Sequence, residues 1–530
     1  MTGAPHRTIA DVAVIGAGTA GCVLAGRLSE RADRRVLLIE AGPDFGPADG
    51  GGWPEEIASD RWVGHETAYD WGYLAPLSGR PQRYLRGRVV GGSSSINALG
   101  INWGLRRDYD GWAARGLPGW DFAGLLPAFR RVERLTEAEG TGPLGPSDPE
   151  RGRDGALTVT RIDRRTPYLE AFGRACERAG LPLVDPAGPD APAGYGAMTR
   201  SAVAGRRVHA AAAYLDPARG RPNLEIRAGA EVERIEWSRG RALALALRGP
   251  DGEEVVEAGR VVLAAGAIGS PLLLQRSGIG PRELLRRVLG EGSEPHHLPG
   301  VGRRLLDHYG VRFAVAAAPG SRARLEAAGG PRRGSVTARI RTDPALDCYD
   351  VTVTSTQDLD GLLAIERPPG AGGEDMVFPF IAWHVQPESV GRVEITSADP
   401  GAPPLIDHGF GADADIEALA RAIEWARERM GDPEVAPWLT GELEPGAHVA
   451  GAALRAWVRD HLHFYFHAVG TCAMGPAEEA EAVVDATGRV RGFENLYVAD
   501  ASVMPAIPRG MLNLTVYAVA EKLAASYAGW

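Results

Sequence analysis

Apolar residues follow three rhythms along this chain. The mostly apolar run at 9–15, Ile-Ala-Asp-Val-Ala-Val-Ile, predicts a short buried strand. Helical spacing follows over Cys22–Ser29, and Arg35-Val-Leu-Leu-Ile39 reads as a second strand. Strand and helix return at 259–280, where Gly259-Arg-Val-Val-Leu-Ala-Ala265 runs into a helix with Pro271 in its first turn and Gly278 at its end. Asn495-Leu-Tyr-Val-Ala499 is a further strand, ending at Asp500. From about 310 to 455 the rhythm changes. Val377–Val385 and the turn-plus-strand 387–395 are strand-like, and 415–430 is helical; 155–200 contributes to the same region. The Pro/Gly stretch at 366–373 reads as a mobile loop over an entrance.

The chain has 530 residues, enough for about two to four domain-sized units or one interleaved pair. No linker or low-complexity stretch divides it into beads, which favours interleaving. With 44% apolar and 24% charged residues it is globular. The net charge of −10 is spread along the chain and leaves no basic footprint for nucleic acid. Cys22, Cys176, Cys348 and Cys472 lie far apart without a CxxC pair. That spacing argues against a zinc ribbon or disulfide framework and for reduced thiols in the cytoplasm. The amino-terminal residues lack a secretion signal's pattern, and no stretch reaches the ~18–20 apolar residues of a membrane span.

Chemistry starts at Gly16-Ala-Gly18-Thr19-Ala20-Gly21, between the first strand and its helix. Gly16 permits the tight turn, Gly18 lets backbone approach a pyrophosphate, and Gly21 lets helix pack close to strand. The helix amino end offers free N–H groups to phosphate. A bare GxGxxG is weak in a chain with 70 glycines. The second strand rescues it by ending in Glu40, about 20 residues past the loop, where a ribose-binding acid belongs. This unit alone leaves flavin and nicotinamide dinucleotides open; one embedded cradle without an evident second favours a retained flavin. A second Gly-rich turn, Arg86-Gly-Arg-Val-Val-Gly91-Gly92-Ser93-Ser94-Ser95-Ile96-Asn97, reads equally as surface loop or as a polar wall for a flavin edge.

The candidate base is His467, in His463-Phe-Tyr-Phe-His467-Ala-Val-Gly470-Thr471-Cys-Ala-Met474-Gly475. Imidazole can take a proton near neutral pH, as alcohol oxidation requires. Read alone, a histidine after an aromatic run fits a packed core as well as a catalyst. His463 lies four residues earlier, but no carboxylate or third ligand has metal-site spacing, so no metal is expected.

Together these runs resemble the glucose–methanol–choline (GMC) family of flavoprotein oxidoreductases over essentially the whole chain. The 266–280 segment fits the family's second signature, and 87–110 its first except at Ile101. Gly300-Val-Gly302-Arg-Arg-Leu-Leu-Asp307-His308 is similar to its GVGxNLxDH turn, with Arg304 replacing Asn.

The resemblance implies an α/β plus α+β architecture, with a Rossmann-like FAD-binding domain interleaved with a substrate-binding cap on an antiparallel sheet. The expected division gives 1–155, 200–310 and 455–530 to FAD and 156–199 and 311–454 to the cap. By the same resemblance Gly16, Gly18, Thr19 and Ala20 hold the pyrophosphate, with Gly21 packing behind them. Glu40, with Ala41 beside it, meets the adenosine ribose, and Val232 lies by the adenine. Gly92, Ser93 and Asn97 flank the flavin; Asp500 and Ala501 return to its phosphate and ribityl chain. Some members tether FAD through a histidine just before the position of Asn97; Ile96 stands there, implying non-covalent FAD.

His467 matches the family's base beside flavin N5. The second polar residue customary in the carboxy-terminal run is replaced by Met511, with Asn513 two residues on. A thioether accepts weakly and donates nothing. Either His467 works without a close polar partner while Met511 shapes an apolar pocket, which we favour, or Asn513 or a cap residue substitutes. His384 and His65 are candidates for that role, each read first as structural.

The activity implied is FAD-dependent oxidation of a small-molecule CH–OH group, with O₂ or a quinone-like carrier as acceptor. Rival readings are a hydroxynitrile-type lyase with structural FAD, a dehydrogenase serving a peptide-derived redox cofactor, and a non-catalytic flavin binder.

Overall fold

A computed structural model describes residues 7–61, 67–137, 149–161, 166–185, 188–190, 193–197, 199–329, 333–359 and 376–530. His65 and the 366–373 stretch lie outside the described residues.

The cofactor side is built on a seven-stranded sheet. Strand Arg7–Ile15 lies at its centre, paired in parallel with Val36–Ile39 on one side and Gly252–Leu263 on the other. Leu224–Arg227 extends the parallel edge beyond Val36–Ile39. Glu231–Ser238, Arg241–Gly249 and Gly252–Leu263 form an antiparallel meander. Leu496–Val498 joins in parallel to the last residues of that meander. Val12 to Ile15 and Val36 to Ile39 are all buried, which explains apolar runs without alternation. Helix Thr19–Leu28 covers this sheet and packs on the terminal helix Leu512–Ser526.

The cap sheet has the order 439–444, 309–317, 377–384, 351–358, 333–340, 194–197, with Leu462–Phe464 also on 309–317; every pairing is antiparallel. One face carries Val311, Phe313, Phe380, Ala382, Val351 and Val353, buried with helices Pro167–Arg178 and Asp413–Met430 in a second core. The other face carries Arg312, Ile381, Thr354 and Ser335 and turns towards the cofactor side. Period-2 alternation therefore separates core from site.

Three sequence expectations change in detail. The strand around Gly391–Ile395 stays off the cap sheet: Arg392–Glu394 pairs only with Leu405–Asp407. Gln275, on helix Gly266–Arg276, pins this ribbon by donating to the Val393 carbonyl at 2.9 Å and accepting from Ile395 N–H at 2.8 Å. The expected 455 boundary falls within helix Gly451–Asp460, and the 155/156 boundary splits Glu133–Glu137 from its partner strand Leu157–Arg161. Pro271 lies inside helix Gly266–Arg276 rather than in its first turn. Lacking N–H, it leaves the Ala267 carbonyl without its helical donor. The Thr471 hydroxyl supplies that hydrogen bond at 2.6 Å, which is why a hydroxyl follows Gly470 in the His467 run.

Candidate active site

One cavity of about 1360 Å³ runs between the cradle and the cap. That exceeds the ~300–1,000 Å³ of a small-ligand site, as a dinucleotide plus substrate requires. Its wall includes Gly16, Gly18, Thr19, Ala20, Glu40, Ala41, Gly92, Ser93, Asn97, Val232, Asp500, Ala501, His467, Met511 and Asn513. Of the residues assigned in the sequence to the cofactor or beside His467 in the carboxy-terminal run, Gly21 stands back. A Cβ there would fall 1.8 Å from the Gly16 carbonyl oxygen, so its work is helix-to-strand packing.

The cradle fits a flavin dinucleotide. Gly92, at φ +54°, lies so close to the first loop that a Cβ would come within 2.6 Å of Gly18 Cα. Two glycine loops thus meet backbone to backbone, and helix Thr19–Leu28 begins at Gly18 with its amino end on the cavity. Glu40 Oε2 accepts from Ala17 N–H and Oε1 from Gly42 N–H, each at 2.8 Å. Burial pushes its pKa up to about 7 against the pull of those donors. The Asp500 carboxylate is already shared. Oδ2 accepts from Gly266 N–H at 2.8 Å and Ser270 Oγ at 2.5 Å, and Oδ1 from Ser502 N–H at 2.8 Å and Oγ at 2.6 Å. Asp500 therefore locks the strand end to helix Gly266–Arg276. Ile96, buried on the same wall, offers no nucleophile. Among the described residues no cluster of metal-ligating side chains occurs.

His467 is held from several sides. Phe466 adopts φ 64°, rare for a bulky side chain and costing about 1 kcal/mol or more. The Asp307 carboxylate offsets this by accepting from His467 N–H at 2.6 Å, and Val469 N–H donates to the Leu306 carbonyl at 2.9 Å. Asp307 is itself gripped by the Tyr84 hydroxyl, to which Arg86 donates at 2.6 Å. The GVGxNLxDH-like turn thus builds the floor under His467.

Its last residue does more. His308 Nδ1 lies 2.9 Å from His467 Nδ1, so one ring donates to the other. The expectation that His467 stands without a close polar partner therefore fails; the partner comes from a motif read only as a turn. Asn513 does not fill that place, since its Oδ1 accepts from the Thr19 hydroxyl at 3.0 Å. His384 is structural, with Nδ1 3.0 Å from the Asp350 carbonyl and Nε2 3.3 Å from Asp415. Met511 Sδ accepts from the Tyr465 hydroxyl at 3.2 Å, and Tyr465 stacks on Trp383 and lies tilted against His467, with ring centroids 4.1 Å from each. The cap side of His467 is accordingly aromatic and thioether.

Burial, then the charge of Arg86, pulls the His467 pKa down to about 3, and burial followed by His467 holds His308 well below its usual value. Both rings are neutral, so the shared proton fixes their tautomers together. The Val385 carbonyl favours the protonated form of His308, although Nε2 is outside hydrogen-bond geometry with any acceptor. The contact with His308 engages His467 at Nδ1 and leaves Nε2 as the ring nitrogen free to face the cavity.

GMC oxidoreductase family models match residues 10–310 and 387–520. The chain is 34% identical over 564 residues to human mitochondrial choline dehydrogenase, covering 98% of this chain and 90% of that one. It is 34% identical over 545 residues to the oxygen-dependent choline dehydrogenase of Pseudomonas aeruginosa, covering 97% and 94%. Pyridoxine 4-oxidase from Mesorbium loti superposes with a TM-score of 0.84 at 32% identity over 98% of this chain and 99% of that one. With the dinucleotide cradle, antiparallel cap and histidine between them already in place, these matches make the chain a member of the GMC oxidoreductase family, and so an FAD-dependent oxidoreductase of CH–OH donors.

Proposed function

We propose that His467 is the general base of this enzyme, taking the hydroxyl proton of a small-molecule alcohol bound between it and the aromatic face of the cap. The carrying observation is the His467–His308 contact at 2.9 Å, which occupies Nδ1 and leaves Nε2 without a protein partner on the cavity side. When bound, FAD accepts the hydride from the alcohol carbon. The chain's own residues orient and handle the proton. A depressed pKa keeps the imidazole unprotonated across the neutral range, and a positioned base contributes about 10²–10⁴ in rate. His308 is a positioning residue that selects the tautomer, and Asp307 fixes the backbone of His467. Tyr465 and Met511 form the apolar side of the substrate wall.

The relatives named for choline and pyridoxine are named for alcohols, which supports CH–OH chemistry without carrying either substrate over. The residues that would hold FAD are the cradle set above, with Asn513 tied to Thr19 at the pyrophosphate end. Retention is non-covalent, because Ile96 provides no attachment; acid-precipitated protein should be colourless and its supernatant yellow. We assign the cradle to the expected 1–155, 200–310 and 455–530, with the first boundary moved past Leu157–Arg161 and the last moved past helix Gly451–Asp460, and with Leu462–Phe464 lent to the cap sheet.

The test is an anaerobic screen of alcohols against the holoenzyme, followed by flavin absorbance. Bleaching by at least one primary or secondary alcohol is expected. A hydroxynitrile lyase would cleave its cyanohydrin while the flavin stayed oxidised under every alcohol, and that pattern would replace this reading.

A further inference from the structure

Arg312 occupies an unusual position. It is the one charged residue of the strand Tyr-Gly-Val-Arg-Phe-Ala-Val-Ala-Ala at 309–317, and its register neighbours across the sheet are Ile381 and then Thr354. All three side chains are on the cavity wall. Among the described residues Arg312 Nε is buried without a hydrogen-bond partner, and no ion pair or ring contact engages its guanidinium. Burial alone lowers its pKa, with no acid to offset it. Asp358, further along the same face, is taken by Arg333 at 3.8 Å. Arg200, also on the wall, is 3.8 Å from Asp60. His463, on the adjoining strand Leu462–Phe464, is driven to about 3 by burial and then by Arg312, so it is neutral and offers no counter-charge.

A desolvated guanidinium without a partner is costly, and the cost is recovered when a matching anion arrives. Its planar fork of donors suits a carboxylate, and the Thr354 hydroxyl lies in the same cross-strand row. Arg86 also lines the cavity with Nε unpartnered, but its guanidinium donates to the Tyr84 hydroxyl at 2.6 Å, so Arg312 is the cation left to meet a monoanion.

We propose that the cap face of this cavity is a carboxylate-binding subsite centred on Arg312, and that the substrate is an alcohol carrying a carboxylate. A trimethylammonium-bearing alcohol such as choline is disfavoured by the same charge. The substrate half of this inference rests on the alcohol-oxidation reading; the anion site does not.

The holoenzyme is titrated with benzoate, benzamide and phenyl phosphate, following the flavin absorbance perturbation. It is also mixed anaerobically with 4-(hydroxymethyl)benzoate, its primary amide, and choline. Benzoate should bind at least about tenfold tighter than benzamide, as one charge-assisted pair implies. Arg312→Gln should weaken benzoate by about 10- to 100-fold while flavin content and benzamide affinity stay put, and Arg312→Lys should fall between. The hydroxymethyl benzoate should reduce the flavin faster than the amide or choline.

Equal affinity for benzoate and benzamide, or an Arg312→Gln protein that binds benzoate like the parent, overturns the subsite. Phenyl phosphate binding more tightly than benzoate overturns the carboxylate assignment. Faster reduction by choline or the amide overturns the substrate class. If benzoate binding depends on Arg312 yet none of the alcohols bleaches the flavin, the anion site stands and the alcohol reading fails.

Discussion

Replacing His308 by leucine removes the group that hydrogen-bonds His467 Nδ1 across 2.9 Å, while keeping a side chain of similar bulk. Both rings are neutral in the folded protein, so a single neutral hydrogen bond is lost, about 0.5–1.5 kcal/mol. The abandoned Nδ1 is left in a buried setting, which adds about 1–3 kcal/mol if it stays unsatisfied. The imidazole escapes part of that cost by flipping or changing tautomer, and each route takes the Nε2 lone pair away from the substrate. A free-energy loss of about 1–3 kcal/mol at the transition state lowers the flavin-reduction rate by about 5- to 150-fold. The assay is anaerobic stopped-flow with a saturating alcohol, which separates the limiting rate from substrate affinity. The limiting rate should fall and the affinity change little, because His308 is behind the base. Glutamine at 308 returns an acceptor and should recover the rate to within about threefold. Were the leucine variant, folded and loaded with FAD, to reduce its flavin at the parental rate, the paired histidines would have no orienting role.

Met511→Asn exchanges a thioether for an amide against Tyr465 and should shift the kcat/KM ratio of polar to apolar alcohols by about tenfold; an unchanged ratio removes Met511 from the substrate wall. His209 is 2% exposed, stacked on Trp53, and accepts from Ala212 N–H at Nδ1. Burial, then Arg207 and Arg219, pulls its pKa down to about 3 against ~6.5 unfolded. Below pH 6.5 the unfolded chain binds a proton that the folded chain refuses, so this stability is intact above 6.5 and declines as pH falls towards 3. Urea unfolding at pH 7 and pH 5 should differ by about 2 kcal/mol less in His209→Gln than in the parent, and equal differences would rule out His209 as a source of acid sensitivity.

The cradle was legible because its physics is local. Glycine at 16, 18 and 21, a strand before and an acid after define a tight strand-to-helix turn, with Gly16 at φ +95°, Gly21 packed on the Gly16 carbonyl and Glu40 bound to the loop at Ala17 N–H. The cap strands were legible in part: alternation in 377–385 gives a strand, whereas Arg392–Glu394 left the sheet because Gln275, far away in sequence, captures its backbone. His308 was hidden for a similar reason. Its motif reads as a turn, and only the antiparallel pairing of Tyr309 with Phe464 brings it beside His467, 159 positions away. Arg312 carries its own sequence signal, a single charge in an apolar strand. Asp500 looked like a ligand group at a strand end, yet four protein donors already share its carboxylate.

The most direct test of the account is the anaerobic flavin-reduction rate of His467→Ala and His467→Gln beside the parent, each checked for equal FAD content. The general-base role predicts a fall of about 10²–10⁴ in both, since neither side chain can accept the hydroxyl proton as imidazole does. Reduction within about threefold of the parent in either variant would contradict it.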